Sequence, residues 1–248
     1  MGARSASLGR EESMALPASP ASLSIGMLLF PRLTQLDLTG PYEVLARMPD
    51  TTVHLVADTL APVRSERGLT ITPDATFDEV HPLDIICVPG GPGVDPLMED
   101  ARLLGFLQAQ ERRARYVTSV CTGALLLGAA GLLRGYRATT HWMSLDLLPL
   151  FGADPVEERV VIDRNRLTAA GVTAGMDLGL AVAAELFGRA VAEEIQLTIE
   201  YDPAPPFHSG SPRTAPAPVL ERVIRARGQS RAERRAIAER AAARLANH

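Results

Sequence analysis

Short apolar runs alternate with longer segments of helical periodicity from Ile25 to about Tyr201, and this alternation predicts an α/β domain on a largely parallel sheet. Strands are expected at 24–30, 53–57, 84–88, 116–120 and near 158–169, with smaller ones at 69–72 and 137–140. Helices are expected at 41–48, 100–114, 122–133, 143–150, 174–187 and 189–200. The domain so defined covers residues 23–201, and no tandem repeat interrupts it. Beyond Tyr201 the pattern changes to YDPAPPFHSGSPRTAPAP, whose six prolines forbid a regular element and predict a strap over the surface at 202–218. Residues 219–248 turn helical and basic, with eight arginines against three glutamates between 219 and 246. A solvated terminal helix is one reading of that segment and a contact for an acidic partner is the other. Residues 1–22 are small, polar and proline-bearing, and predict a disordered extension.

Composition narrows the function classes. In 248 residues the apolar fraction of 46% and charged fraction of 22% are ordinary for a globular protein, and a net charge of −4 provides no field for nucleic acid. All 25 basic residues are arginine. Two cysteines are too few for a disulfide framework, and nothing N-terminal has the layout of a signal peptide, so a reducing cytoplasm is expected. The apolar stretch Ile25 to Phe30 is far shorter than the roughly 20 residues that span a bilayer. Neither C-x-x-C nor H-x-x-x-H occurs, and the Gly-rich turn lacks dinucleotide or P-loop spacing, so neither metal nor cofactor is expected.

The chemistry-bearing residues fall at the ends of predicted strands, where open parallel sheets bind ligands. Three turns stand out: FPRLTQLDLTGP (30–41), VPGGPG (88–93) and SVCTGA (119–124). Cys121 lies at a strand-to-helix elbow, where the amides opening the following helix and its dipole favour a thiolate; the competing reading is a core cysteine. Cys87, mid-strand in DIICVPGG, reads as core. The amides of Gly91 and Thr122 are placed to stabilise developing negative charge. Asp37 precedes Leu38-Thr39-Gly40-Pro41, where Pro41 opens a helix. Its carboxylate serves either as a local turn or cap residue or, facing Cys121, as a proton carrier with a raised pKa. Glu43, inside that helix, is the competing carboxylate. His141, beside Trp142, is either a base for the thiol or structural, and His208 in the strap is a weaker candidate still.

Taken together, TQLDLTGPYEVL, ICVPGGPG, SVCTGALLLGAAGLLRGYRATTHW, TAAGVTAGMDLGL and QLTIEYDPAPPFHSGSPRTAP resemble the ThiJ/PfpI branch of the class I glutamine-amidotransferase-like superfamily. Within the branch the resemblance is to the members that hydrate isonitriles, and it covers about Ile25 to Pro216. It implies a flavodoxin-like three-layer sandwich with helices on both faces of a mostly parallel sheet, a homodimer, and a small-molecule isonitrile as substrate. It also implies Cys121 as nucleophile, Asp37 as acid and Thr122 as their essential neighbour. Peptidase-like members carry histidine after the cysteine, which Thr122 replaces here. The leader and the arginine-rich helix depart from the hydratase pattern. Two rival implications stand beside it. AraC-type regulators carry the same domain with a helix-turn-helix module of about a hundred residues, for which the thirty-odd residues after Pro218 are too few. Glyoxalase or deglycase members usually carry glutamate where Asp37 stands.

Overall fold

The computed structural model describes residues 22–246, so the expected extension at 1–22 lies, but for Ser22, outside the described residues. In chain order the elements are β1 (Leu23–Leu28), α1 (Gln35–Leu45), β2 (Thr51–Ala57), β3 (Val63–Arg64), β4 (Thr70–Ile71), β5 (Ala75–Thr76) and β6 (Ile85–Val88). Then come α2 (Val94–Leu97), α3 (Ala101–Glu111), β7 (Tyr116–Val120), α4 (Gly123–Ala129), β8 (Arg137–Ala138), a 3-10 helix (Trp142–Phe151) and β9 (Asp154–Pro155). The chain ends with β10 (Val160–Asp163), β11 (Arg166–Ala169), α5 (Ala174–Phe187), α6 (Arg189–Thr198) and α7 (Ala217–Ala246).

Seven strands form one sheet in the order β10-β11-β7-β6-β1-β2-β5, parallel except for the β10–β11 pair. Helices α1, α5 and α6 pack together on one side, and α2, α3, α4, α7 and the 3-10 helix pack together on the other. This is the flavodoxin-like α/β sandwich. Its central strands are apolar on both sides: all four residues of β6 are buried, as are Val117 and Val120 of β7. From β1 the chain runs outward to β2 and β5, then returns to β6 on the opposite side of β1. The order therefore reverses between β1 and β6, and the crevice at that reversal is where such sheets take ligands.

Several elements differ from the pattern-based expectation. The helix expected from Pro41 begins at Gln35, with Pro41 in its interior. Proline removes only the amide that would bind the Asp37 carbonyl, and the preceding Gly40 has no Cβ to collide with the ring, so the helix continues through. The apolar run near 158–169 is a hairpin, β10 and β11, turned at Arg164 with φ 54°. The helix expected over 122–133 stops at Ala129, and Gly131 carries a left-handed φ of 78°. The segment near 143–150 is 3-10 rather than α, and α2 was not foreseen. Residues 202–216 contain no helix or strand and are mostly exposed.

The basic terminal segment is not simply solvated. It is the helix α7, exposed throughout 221–230 but docked beyond that, where Ala238 and Ala241 are buried. Among the described residues no helix is long and apolar enough to cross a membrane.

Candidate active site

Because β1, β6 and β7 are adjacent and parallel, their exit loops meet at one edge, bringing together the three turns that stood out in the sequence. A cavity of about 480 Å³ opens there, with Cys121, Thr122, Gly91 and His141 among its lining residues.

Cys121 occupies the turn between β7 and α4 with φ 54°, a left-handed conformation costly for any side chain other than glycine. Two bonds hold it there. Its N–H donates to the Ala169 carbonyl at 3.0 Å, and its carbonyl accepts from the buried Thr140 hydroxyl at 2.7 Å. The result presents the sulfur to the cavity rather than to the sheet, although the residue is only 6% exposed. Cys87 is fully buried in β6 and burial pushes its thiol up to about 12.

Asp37 stands in the first turn of α1 and is completely buried. Its Oδ2 accepts from the Gly90 N–H at 2.9 Å. Oδ1 has no hydrogen-bond partner of good geometry among the described residues, and the Cys121 thiol stands beside the carboxyl. Burial raises the Asp37 pKa from 3.8 to about 7; the Gly90 amide and the thiol oppose the rise and the nearby Glu66 charge adds to it. The carboxyl is therefore poised to gain or lose a proton near neutrality.

The electrostatics of the site run against the expectation of a resting thiolate. Burial, then the Asp37 charge, push the Cys121 thiol well above its ordinary value, against the Thr122 amide and the Arg234 cation. The short α4 begins only two residues after the sulfur, but the amide that reaches it, that of Thr122, does not offset the water lost on burial. The surroundings therefore favour the thiol over the thiolate.

Thr122 is buried, and its Oγ1 accepts from the Gly91 N–H at 2.9 Å. This corrects the expectation for Gly91: its amide is already engaged by the threonine hydroxyl and does not face the sulfur, whereas the Thr122 amide does. The packing here is tight. Gly91 carries φ 125°, and a Cβ on Gly90 would stand 2.5 Å from the Thr122 nitrogen and 2.8 Å from Asp37 Oδ2. The glycine turn thus brings the backbone that follows β6 between carboxyl and threonine, which no side chain there would allow.

His141 lines the cavity but caps the 3-10 helix, its Nδ1 accepting from Met143 N–H at 3.3 Å. Burial, aided by Arg234 and Arg227, lowers its pKa to about 4, so it is neutral and poorly suited to take the thiol proton. Glu43 lies outside the site, exposed and paired with Arg47. His208 is exposed in the strap and does not line the cavity. Among the described residues no cluster of three metal-ligating side chains occurs.

Sequence reasoning missed much of the cavity wall. Glu66, reached through the β3–β4 hairpin, accepts from the Thr34 hydroxyl at 2.8 Å. Arg32, with φ 62°, follows β1. From α2 comes Asp95, and from α7 come Val223, Arg227 and Arg234. The lone signal for α7 was its arginine count, which by itself does not distinguish a docked helix from a free one.

Fold and site together define an α/β sandwich with a strained cysteine elbow facing a buried carboxyl at a sheet reversal. Residues 23–185 match the DJ-1/PfpI family, and the chain belongs to it. Among curated relatives it is 57% identical, over 90% of its length and 98% of the other, to an isonitrile hydratase of Pseudomonas putida, a relationship that supports an enzyme assignment. It is also 35% identical to the HTH-type transcriptional regulator GbdR of Pseudomonas aeruginosa, over 72% of this chain but only 51% of that one. A crystal structure of a ThiJ/PfpI family protein from Pseudomonas syringae matches with a TM-score of 0.86 at 44% identity, covering 92% of this chain and 98% of that chain.

Proposed function

We propose that this protein hydrates isonitriles to N-substituted formamides, with Cys121 as nucleophile, Asp37 as acid and base, and Thr122 as the residue that orients them. The observation that carries the reading is the buried Asp37 carboxyl standing beside the Cys121 thiol, which lines an open cavity. Its support is the extensive identity to the Pseudomonas putida hydratase.

The terminal carbon of an isonitrile becomes electrophilic once it accepts a proton, so the reaction calls for a soft nucleophile and an acid side by side. In the first half, sulfur bonds to that carbon while a proton from the thiol–carboxyl pair is delivered to the same carbon through Asp37. The product is a thioimidate, R–N=CH–S–Cys, with all atoms of thiol and isonitrile retained. In the second half Asp37, now ionised, takes a proton from water as the water oxygen adds to the imidate carbon, and passes that same proton to the nitrogen. Collapse of R–NH–CH(OH)–S breaks the carbon–sulfur bond, releases R–NH–CHO and returns the proton to the thiol. The Thr122 amide facing the sulfur stabilises it when it is the leaving group. No step draws on a metal or redox group.

Incubation with cyclohexyl isocyanide, followed by proton NMR, tests the reading. N-cyclohexylformamide is expected from the wild type and from Cys87→Ala, none from Cys121→Ala, and stalled turnover should leave an adduct of the full isonitrile mass on the Cys121 peptide. Absence of formamide from a folded wild type, or loss of turnover in Cys87→Ala alone, would reject it.

A further inference from the structure

Helix α7 crosses the cavity and is attached there mainly by charge. Arg234 Nε lies 2.6 Å from Asp95 Oδ1, and its Nη1 lies 3.3 Å from the Ser144 hydroxyl. Both members of the pair are mostly buried, with side chains 16% and 18% exposed. Flanking pairs tie Arg231 and Arg235 to Asp146, and Arg240 and Arg244 to Glu99. Apolar burial along the same helix amounts to two alanines, with Ile237, Ala242 and Leu245 partly covered. The flanking pairs are exposed and contribute little, so the mostly buried Arg234–Asp95 pair is the polar contact that fixes this part of the helix.

Arg227, Arg231 and Arg234 all line the cavity, and Arg234 differs from the other two in that its charge reaches both Cys121 and His141. We infer that Arg234 is a positioning residue of the Cys121 site, anchored by Asp95, which holds α7 as the cavity wall and supplies the cation opposite the reacting sulfur. This rests on Cys121 being the reactive thiol and is independent of which substrate it attacks.

Other charges face the same sulfur and set the background. Asp37 from α1 opposes ionisation of the sulfur and Glu66 from the hairpin loop opposes that of Asp37, while Arg32 after β1 and Arg227 and Arg231 on α7 are the remaining cations of the wall, and Asp95 and Glu233 its further anions. His141 is neutral there. Arg234 is the cation that acts on Cys121 most directly, and it is fixed by a buried partner.

The test is the rate of Cys121 carbamidomethylation by iodoacetamide from about pH 6 to about pH 10, read by peptide mass mapping with the sealed Cys87 as internal control. Hydrogen exchange across 231–246 is followed in parallel. Arg234→Lys keeps the cation and should overlay the wild type. Arg234→Gln should move the profile upward by at least about half a pH unit, roughly a threefold loss of rate below the midpoint. Asp95→Asn removes the anchor together with one anion of the wall, whose loss by itself would favour the thiolate; exchange in α7 should rise, and the profile should still move in the same direction but by less than in Arg234→Gln. Unmoved profiles in both Arg234→Gln and Asp95→Asn overturn the inference, and so does an equal shift in Arg234→Lys and Arg234→Gln, which would mean packing without charge. If Arg234→Gln does not fold, the Asp95→Asn profile decides alone. Failure of the isonitrile assay with these profiles as expected would remove the substrate assignment and leave this inference standing.

Discussion

Replacing Asp37 by Asn should make the protein more stable and inactive at once. The carboxyl is fully buried and its pKa is raised from 3.8 to about 7, chiefly because ionisation there forgoes water. For an acid whose folded pKa is raised, the native state binds more protons than the unfolded state between the two values, so stability falls as pH rises through that window and stays lowered above it. Three units at about 1.4 kcal/mol each give about 4 kcal/mol held back at pH 8. Asparagine carries no charge, and its amide oxygen can still accept the Gly90 N–H that now reaches Oδ2. Urea denaturation of the two proteins should therefore coincide near pH 4, diverge between about pH 4 and pH 7, and differ by up to about 4 kcal/mol at pH 8. For a chain of this size that is on the order of 10 °C in Tm. Formamide production should be lost over the whole range. An Asn variant no more stable than wild type at pH 8, or one whose advantage is already complete at pH 4, would refute the account of the buried carboxyl.

Two further substitutions probe the geometry. Gly90→Ala would press a methyl against the Thr122 nitrogen and Asp37 Oδ2, at 2.5 and 2.8 Å, neither of which can yield without breaking the site. It should abolish activity and cost about 1–3 kcal/mol by urea titration, the range for overpacking. Thr140→Val keeps the shape but leaves the Cys121 carbonyl without its donor, so it should lose about 1–3 kcal/mol, and Thr140→Ser should recover most of it. Equal stability of the valine and serine variants would show that the elbow does not depend on this bond.

The parts of the molecule legible from the sequence are those decided by local patterning. The β-branched run Tyr116–Val120 and the periodic stretch Ala174–Phe187 lie where the apolar spacing puts them. The elbow follows, since a buried strand meeting an apolar helix leaves one turn position for Cys121. What was not legible depends on neighbours distant in the chain. Pro41 marked a helix start because a proline amide is absent, yet tertiary packing against Gly175 carries the helix through it. The direction of the Cys121 shift depends on water lost when the loops close, which no local motif records. Arg234 and Asp95 are 139 residues apart, so their pairing is visible only after folding.

The left-handed backbone at 121 has a consequence for descent. That conformation suits glycine and penalises every other side chain by about 1 kcal/mol or more, so the sulfur is retained against the preference of its own turn. In a lineage released from the chemistry, position 121 is where drift toward glycine would meet no structural resistance.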